Sequence, residues 1–453
     1  MKILVAGAGT RAFAVAKSVE KFGGTAYLLP EIAAEGYFRT LACDPSDPES
    51  VADAAEKAQI SLVAITDEKI MLSPLSDVLE GKGIRVFAPP RRTAEIFSGR
   101  AAVTKLARSE TVPTQRQITF SSEAEAKDFI RSGVDREYVI KSPRKGGGVF
   151  PAATKAEAIA AIGKIFATEN SVVVEARVFG HRMGVGVITD GKTLVFAPVT
   201  LPSRDARLRS YGAVAPNPYY NERVREETET QIVYPFLTAA KKAGIKLCGW
   251  YNFDIILTGY GPIFIGIDCV PPETELETVL SLLSSDVAAA MASATCGTLN
   301  RGDIKFSDDY ALTVASDDKS ARKRERKIEK TAYVYVNFGQ VVLSGDVMTP
   351  RADRLATVTV ATPTFNSAYH GAMDVAEFSG LCGEFCRDVG SDAYAEICRV
   401  RSVGNAKKAR LDEIERNREI IRNARLTEFD YSDPEYLERL KNSSVFSTGE
   451  EEK

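Results

Sequence analysis

The stretch VIKSPRKGGGVF, Val139–Phe150, joins an apolar run that ends on Lys141 to a loop holding Lys145 and three successive glycines, Gly146, Gly147 and Gly148. The β-branched residues before Lys141 fit a strand, and the glycines let the chain turn back without Cβ obstruction. Such a loop offers backbone N–H groups and ammonium groups to phosphates. It is not a Walker loop, which needs Lys-Ser/Thr directly after its last glycine. The plain alternative is a flexible hairpin whose glycines serve only the turn; on either reading the loop is expected to be mobile without a ligand. Downstream, SVVVEARVFG (Ser171–Gly180) ends a strand near Glu175, an acid able to meet an adenine and ribose from a linker strand. Then comes FDIILTGYGPIFIGID, Phe253–Asp268. A turn at Thr258 to Gly261 puts Asp254 opposite Gly266 and diagonal to Asp268 on one face of a hairpin. Neither strand carries a Lys or Arg to neutralise these two acids. A metal between them is one solution; a solvated sheet face or a basic partner from elsewhere is the other.

The surroundings are α/β. KILVAGA, RAFAVAKSVEKFG, TAYLLP, SVADAAEKA, SLVAIT, LSDVLEGKG and RVFAPP alternate strand and helix patterns over the first hundred residues, predicting a doubly wound parallel sheet. Its first turn, Gly7-Ala8-Gly9-Thr10-Arg11-Ala12, matches a dinucleotide-type glycine fingerprint, and Glu31 falls near the place of a ribose-binding acid. By itself that turn signals only an anion site at a helix N-terminus. Strands, a helix at AEAIAAIGKIFA and a longer helical stretch at ETETQIVYPFLTAAKKAG follow, and beyond GTLNRGDIKF come short strands and a mixed helical tail. The run SARKRERKIEK (Ser320–Lys330) reads as a solvated face.

The chain has 453 residues, 44% of them hydrophobic, enough for two to four compact units. With 58 basic and 61 acidic residues its net charge is -3, so no global field recruits nucleic acid or an anionic membrane. The start lacks the pattern of a secretory signal, and no later run is apolar over a membrane-spanning length; a cytoplasmic protein is expected. Seven scattered cysteines and two histidines, His181 and His370, lack zinc-like spacing, and the cysteines read as reduced thiols used in packing.

A strand lysine, a glycine loop, a linker strand with Glu and a carboxylate hairpin, in that order, form the layout of the ATP-grasp fold. Within it the chain resembles the phosphoribosylamine-glycine ligase family up to about Gly404. ILVAGAGTRAFAVA resembles the family's glycine start, SLVAITDE its strand ending in an acid, here Glu68, and RVFAPPRRTAEIFSGRAAVTKLARSETVPT its entry into the ATP lobe. LPSRDARLRSYGAVAPNP keeps the spacing of Ser-Gln-Asp-His-Lys-Arg and Met-Gly-Ala-Tyr, with Ser203, Asp205, Arg207, Gly212 and Ala213 in register, and PPETE resembles Asp-Pro-Glu-Thr-Gln. Departures accompany these likenesses. Where the family reads Glu-Phe-Asn with an arginine two residues on, this chain reads Gly266-Ile267-Asp268-Cys269-Val270, so a metal glutamate and a carboxylate-holding arginine are missing. The acidic glycine loop is shortened to Leu208–Tyr211, Arg100 stands in place of a lysine, and Thr10-Arg11-Ala12-Phe13 replaces Gly-Arg-Glu-His.

The resemblance implies an α/β protein with a Rossmann-like domain at 1–98, a two-lobed ATP-grasp domain at 99–304 with its small lobe at about 115–180, a mixed α/β domain at 305–430 and a flexible tail at 431–453. It implies ligation of glycine to phosphoribosylamine through an acyl phosphate, with ATP and Mg²⁺ (or Mn²⁺) as cofactors. Lys141 and Arg207 are the expected catalytic residues. ATP is expected on Arg100, Lys141, Lys145, Gly146, Gly147, Gly148 and Glu175, the sugar phosphate and its ribose on Gly7, Gly9, Thr10, Arg11, Glu68 and Asp205, and the metal on Asp254 and Asp268. Small molecules are then the partners of a monomer or homodimer, with no nucleic acid and no membrane. The competing expectations are a paralogue that binds nucleotide without turnover, a ligase for another acid and amine, and, last, an NAD-dependent oxidoreductase.

Overall fold

The structure, a computed structural model, describes residues 1–30, 37–205, 208–317, 320, 322–323, 333–345, 347–378, 384–426 and 438. Glu31, Arg207, Cys382, the tail apart from residue 438 and most of the basic run at 320–330 lie outside the described residues. Two compact units are present, Met1–Tyr394 and Ala395–Lys453. In the second, the helix Ser391–Leu426 continues from the first.

KILVA forms the central strand, Lys2–Ala6, of a parallel sheet ordered Arg39–Thr40, Thr25–Leu29, Lys2–Ala6, Leu62–Ile65, Arg85–Phe87. Helices on both faces bury Ile3, Leu4 and Val5 completely, which is why the strand is an unbroken apolar run and not an alternating one. The doubly wound expectation is met. Strand order reverses at Lys2–Ala6, opening a crevice at the carboxyl ends where the Gly7–Arg11 turn sits before the helix Thr10–Lys21.

The small lobe is an antiparallel sheet, Gln117–Phe120, Val172–Ala176, Tyr138–Lys141, Val149–Ala152, covered by the helices Glu123–Ser132 and Lys155–Phe166. It buries its own apolar core around Ile130, Ile140, Ile162 and Val174, separate from the main one. The large lobe contributes Leu194–Phe196, His181–Thr189, Gly249–Thr258 and Gly261–Asp268, whose core is continuous with that of the parallel-sheet domain. A fourth sheet, ordered Leu201–Arg204, Ser210–Ala215, Tyr310–Asp317, Arg354–Thr362, Val334–Phe338, draws strands from both sides of residue 304.

The expected helix over ETETQIVYPFLTAAKKAG is present with an interruption: Glu222–Thr228 passes through a π-helical turn, Glu229–Val233, into Tyr234–Lys242. Pro235 cannot donate into an α-helical ladder, and the wider turn accommodates it. Directly after the hairpin, the helix Glu273–Ser281 is buried on every side from Thr274 onward, packed against both Thr10–Lys21 and the fourth sheet. Burial there pushes the Glu277 carboxyl up to about 8, against the opposing effect of the Thr10 and Thr357 hydroxyls. No helix among the described residues is long and apolar enough to cross a membrane.

Candidate active site

A cavity of about 420 Å³ opens between the two lobes. The small lobe supplies Lys141, Lys145, Gly146 and Gly147, and Arg100 and Glu68 enter beside it. The last residue of its strand, Lys141, is ion-paired at 2.5 Å with Glu175 of the neighbouring strand, and the two side chains are 7% and 5% exposed. Burial pushes the Lys141 ammonium down while Glu175 pulls it up. Arg100, also lowered by burial, lies among Glu175, Asp268, Glu68 and Asp254. Strand-end lysine and linker-strand acid thus come together as the sequence spacing suggests, though as each other's partner.

The glycine loop is fastened more firmly than three glycines predict. Lys145 N–H donates to the Ser98 carbonyl at 2.8 Å, Arg100 N–H to Pro143 at 3.0 Å, and Ser142 N–H to Gly148 at 2.8 Å. The Lys145 ammonium reaches across the cleft to Asp268 at 2.5 Å and to the Ile267 carbonyl. Gly146, at φ 81°, is where the loop needs a left-handed residue. A second cavity of about 160 Å³ adjoins the first, sharing Lys141, Arg182 and Leu208, and is walled by Val139, Pro151, Ala176, Ile256 and Ile265 along the linker strand that carries Glu175.

The Gly7–Arg11 turn lies next to the hairpin's exit. A Cβ on Gly9 would come 3.1 Å from Glu273 Oε1, and Arg11 Nη1 donates to the Pro271 carbonyl at 3.1 Å. Thr10 is fully buried. Glu68 faces the main cavity; burial and then Asp268 raise its carboxyl, with Lys145 and Arg11 opposing. Asp205 is engaged within its own loop, accepting from Arg209 N at 2.7 Å, Arg209 Nε at 2.9 Å and the Tyr211 hydroxyl at 3.2 Å.

At the hairpin Thr258 pairs with Gly261, and a shift of register between Asp254 and Ile255 brings Asp254 opposite Gly266 and Asn252 opposite Asp268, the pairing expected for Asp254 but reached through a bulge and not by regular alternation from the turn. The charge balance differs. Arg182 Nη1 contacts both Asp254 oxygens, at 2.8 and 2.7 Å, and Arg204 Nη1 stands 3.9 Å away. Burial alone would raise the Asp254 carboxyl, but these arginines hold it below the usual range. Arg204 Nη2 lies 3.3 Å from Glu275 Oε1, and Glu275 Oε2 accepts from Thr200 Oγ1 at 2.8 Å and Asn252 Nδ2 at 3.4 Å. The lack of a basic residue within the hairpin therefore did not leave Asp254 unpaired, because the cations come from adjoining strands. Arg182, Arg204 and Glu275 were not anticipated. Gly184, directly opposite Asp254, was the available signal: a Cβ there would collide with Glu275 Oε2, and a strand glycine marks such close approach.

Asp254 does not fit a divalent metal, since both of its oxygens meet a guanidinium. Asp268 does fit: it faces the cavity, and its one cationic partner, Lys145, sits on the loop. Among the described residues no group of three or more His, Cys, Asp or Glu comes together as a metal cage.

Comparison with known proteins agrees with this geometry. Residues 1–96 match the phosphoribosylglycinamide synthetase N domain, and residues 100–274 match the phosphoribosylglycinamide synthetase ATP-grasp (A) domain. The phosphoribosylamine–glycine ligase of Rhodopirellula baltica is 26% identical over 339 residues, 69% of this chain and 77% of its own length. That of Agrobacterium fabrum is 27% identical over 331 residues, covering 69% and 78%. Among solved structures, phosphoribosylamine–glycine ligase from Thermotoga maritima superposes with a TM-score of 0.70 at 17% identity, covering 86% of this chain and all of that one. A 2-oxoglutarate carboxylase biotin carboxylase domain from Hydrogenobacter thermophilus, complexed with MgADP and bicarbonate, gives 0.66 at 17% identity, covering 85% and 90%. With both domains matched in order over more than half of its length, the chain belongs to the phosphoribosylamine–glycine ligase family.

Proposed function

We propose that the protein joins glycine to 5-phosphoribosylamine with ATP, giving glycinamide ribonucleotide, ADP and phosphate in purine biosynthesis. The observation that carries this is the Lys141–Glu175 pair beside a fastened glycine loop, set between a cation-rich cavity and a narrower slot with apolar walls and a polar rim of Gln115, Arg177 and Arg182. The slot along the linker strand suits an adenine ring, and Lys141, Lys145 and Arg100 then face the phosphates. Phosphoryl transfer needs alignment and charge neutralisation above all. A glycine carboxylate oxygen attacks the γ-phosphorus, the bond to the β-phosphate oxygen breaks, and ADP departs. The amine nitrogen then attacks the acyl carbon, phosphate leaves, and the nitrogen gives up a proton. Arriving phosphates draw Lys141 from Glu175 and Lys145 from Asp268, freeing an acid on each side. A divalent metal, Mg²⁺ or Mn²⁺, supplies further neutralisation between phosphates when bound, and Asp268 is the carboxylate that would hold it. The Gly7–Arg11 turn, at a helix N-terminus, would receive the sugar phosphate, with Glu68 near the ribose.

The test is ADP release by the purified protein. Release that needs ATP, glycine and phosphoribosylamine together, matched by amide product, is expected. Nucleotide binding without release dependent on the acid and the amine would instead describe a binding subunit.

A further inference from the structure

Arg182, Asp254, Arg204 and Glu275 form an alternating chain of charges at the large-lobe side of the main cavity, apart from the groups proposed to meet phosphate. Arg182, Asp254 and Arg204 line the cavity, while Glu275, 1% exposed, lies behind Arg204. The Arg204 guanidinium is oriented by two carboxylates but not saturated by them. Its Nη2 meets Glu275 at 3.3 Å, its Nη1 is 3.9 Å from Asp254, beyond hydrogen-bond reach, and its Nε is buried without a partner among the described residues. Sequence context sharpens this. Arg204 is the second residue of the segment resembling Ser-Gln-Asp-His-Lys-Arg, and Glu275 is the last of the segment resembling Asp-Pro-Glu-Thr-Gln. Both positions are glutamine in those motifs, and here they meet as an ion pair. The same chain has Cys269-Val270 after Asp268, where the resemblance places the carboxylate-holding arginine two residues after Glu-Phe-Asn.

We infer that Arg204, with Arg182 beside it, holds the carboxylate of the acid substrate, so that the arginine absent from the hairpin has been replaced from the neighbouring strands. This rests on the ligase reading. A guanidinium fork matches a carboxylate in geometry as well as in charge. Asp254 and Glu275 keep the fork in place before substrate arrives and offset its charge. When one carboxylate oxygen takes the γ-phosphoryl group, the other remains on Arg204 as the acyl oxygen. Negative charge grows on that oxygen when the amine attacks, and the same donors stabilise it before phosphate leaves.

The decisive variants are R204Q/E275Q, which puts glutamine at both positions, and R204K, which keeps a charge against Glu275 should the double variant melt early. Each is loaded with a non-hydrolysable ATP analogue, and glycine binding is measured directly alongside kcat/KM for glycine. R204Q/E275Q should bind the analogue as the wild type does and lose roughly 10- to 100-fold in glycine affinity and in kcat/KM for glycine, the range for removing a charged hydrogen bond. R204K should lie between. Unchanged glycine affinity and kcat/KM in R204Q/E275Q overturn this inference alone, leaving the ligase intact. Wild type that binds glycine, loses it on substitution, yet forms no amide supports the inference and overturns the proposed function. Wild type that binds the analogue but no glycine overturns both.

Discussion

Replacing Lys141 with methionine keeps the volume of the side chain and removes its charge from one of the most buried ion pairs in the protein. Glu175 is then left 5% exposed, with the Arg100 guanidinium still interacting with it. Breaking a buried pair typically costs 3–5 kcal/mol, and Arg100 puts the expectation at the lower end, about 3 kcal/mol. Urea unfolding of the nucleotide-free protein should show this loss. Adding E175Q removes the stranded carboxylate, so K141M/E175Q should regain most of the stability. Nucleotide affinity should not follow, because both variants lack the ammonium that meets the phosphates; titration with an ATP analogue should show weakening of roughly 10- to 100-fold in each. If affinity returns along with stability, Lys141 acts on nucleotide only through the integrity of the lobe, and the phosphate role is refuted. If E175Q restores nothing, the two residues are not an energetic pair.

Three further outcomes are expected. Glu277, at about 8 against 4.5 ordinarily, holds a proton when folded that the unfolded chain releases, so its contribution falls as pH rises between those values, on the order of 1.4 kcal/mol per unit. E277Q should accordingly be more stable than wild type at pH 8, with a gap that narrows toward pH 5; a gap constant across that range rules the shift out. Gly146 and Gly83 both have left-handed φ and open space around the missing Cβ, so G146A and G83A should each lose about 1–2 kcal/mol in chemical denaturation, while only G146A weakens nucleotide binding. D268N should blunt the dependence of ATP affinity on Mg²⁺ and leave metal-free affinity nearly unchanged, whereas D254N, which strands two arginines, should lose stability without altering the metal response. An identical Mg²⁺ response in wild type and D268N would refute the metal assignment.

The sequence was informative where local chemistry dictates geometry. Period-two alternation put Asp254 and Asp268 on one face of the hairpin, three successive glycines marked the loop at Gly146 to Gly148, and the unbroken KILVA run marked a strand covered on both faces. It was silent where partners are set by register between distant strands. Arg182 lies 72 residues from Asp254 and Arg204 lies 71 from Glu275, and nothing in either local pattern reveals the pairing. The same holds for Asp205, whose motif position suggested substrate while its carboxylate closes a shortened loop onto Arg209. The fourth sheet pairs strands from both sides of residue 304, a meeting of distant segments that no local pattern announces.

The separate core of the small lobe has a mechanical consequence. Because Ile130, Ile140, Ile162 and Val174 cohere without borrowing from the main core, the lobe can swing as one body with little exposure of oil-like surface. What resists the swing is a short row of polar fastenings, with the Lys145 ammonium against Asp268 at their centre. Such a latch yields to ions more readily than to heat, and on the proposed reading the phosphates of an entering nucleotide would compete for the very ammonium that holds it shut.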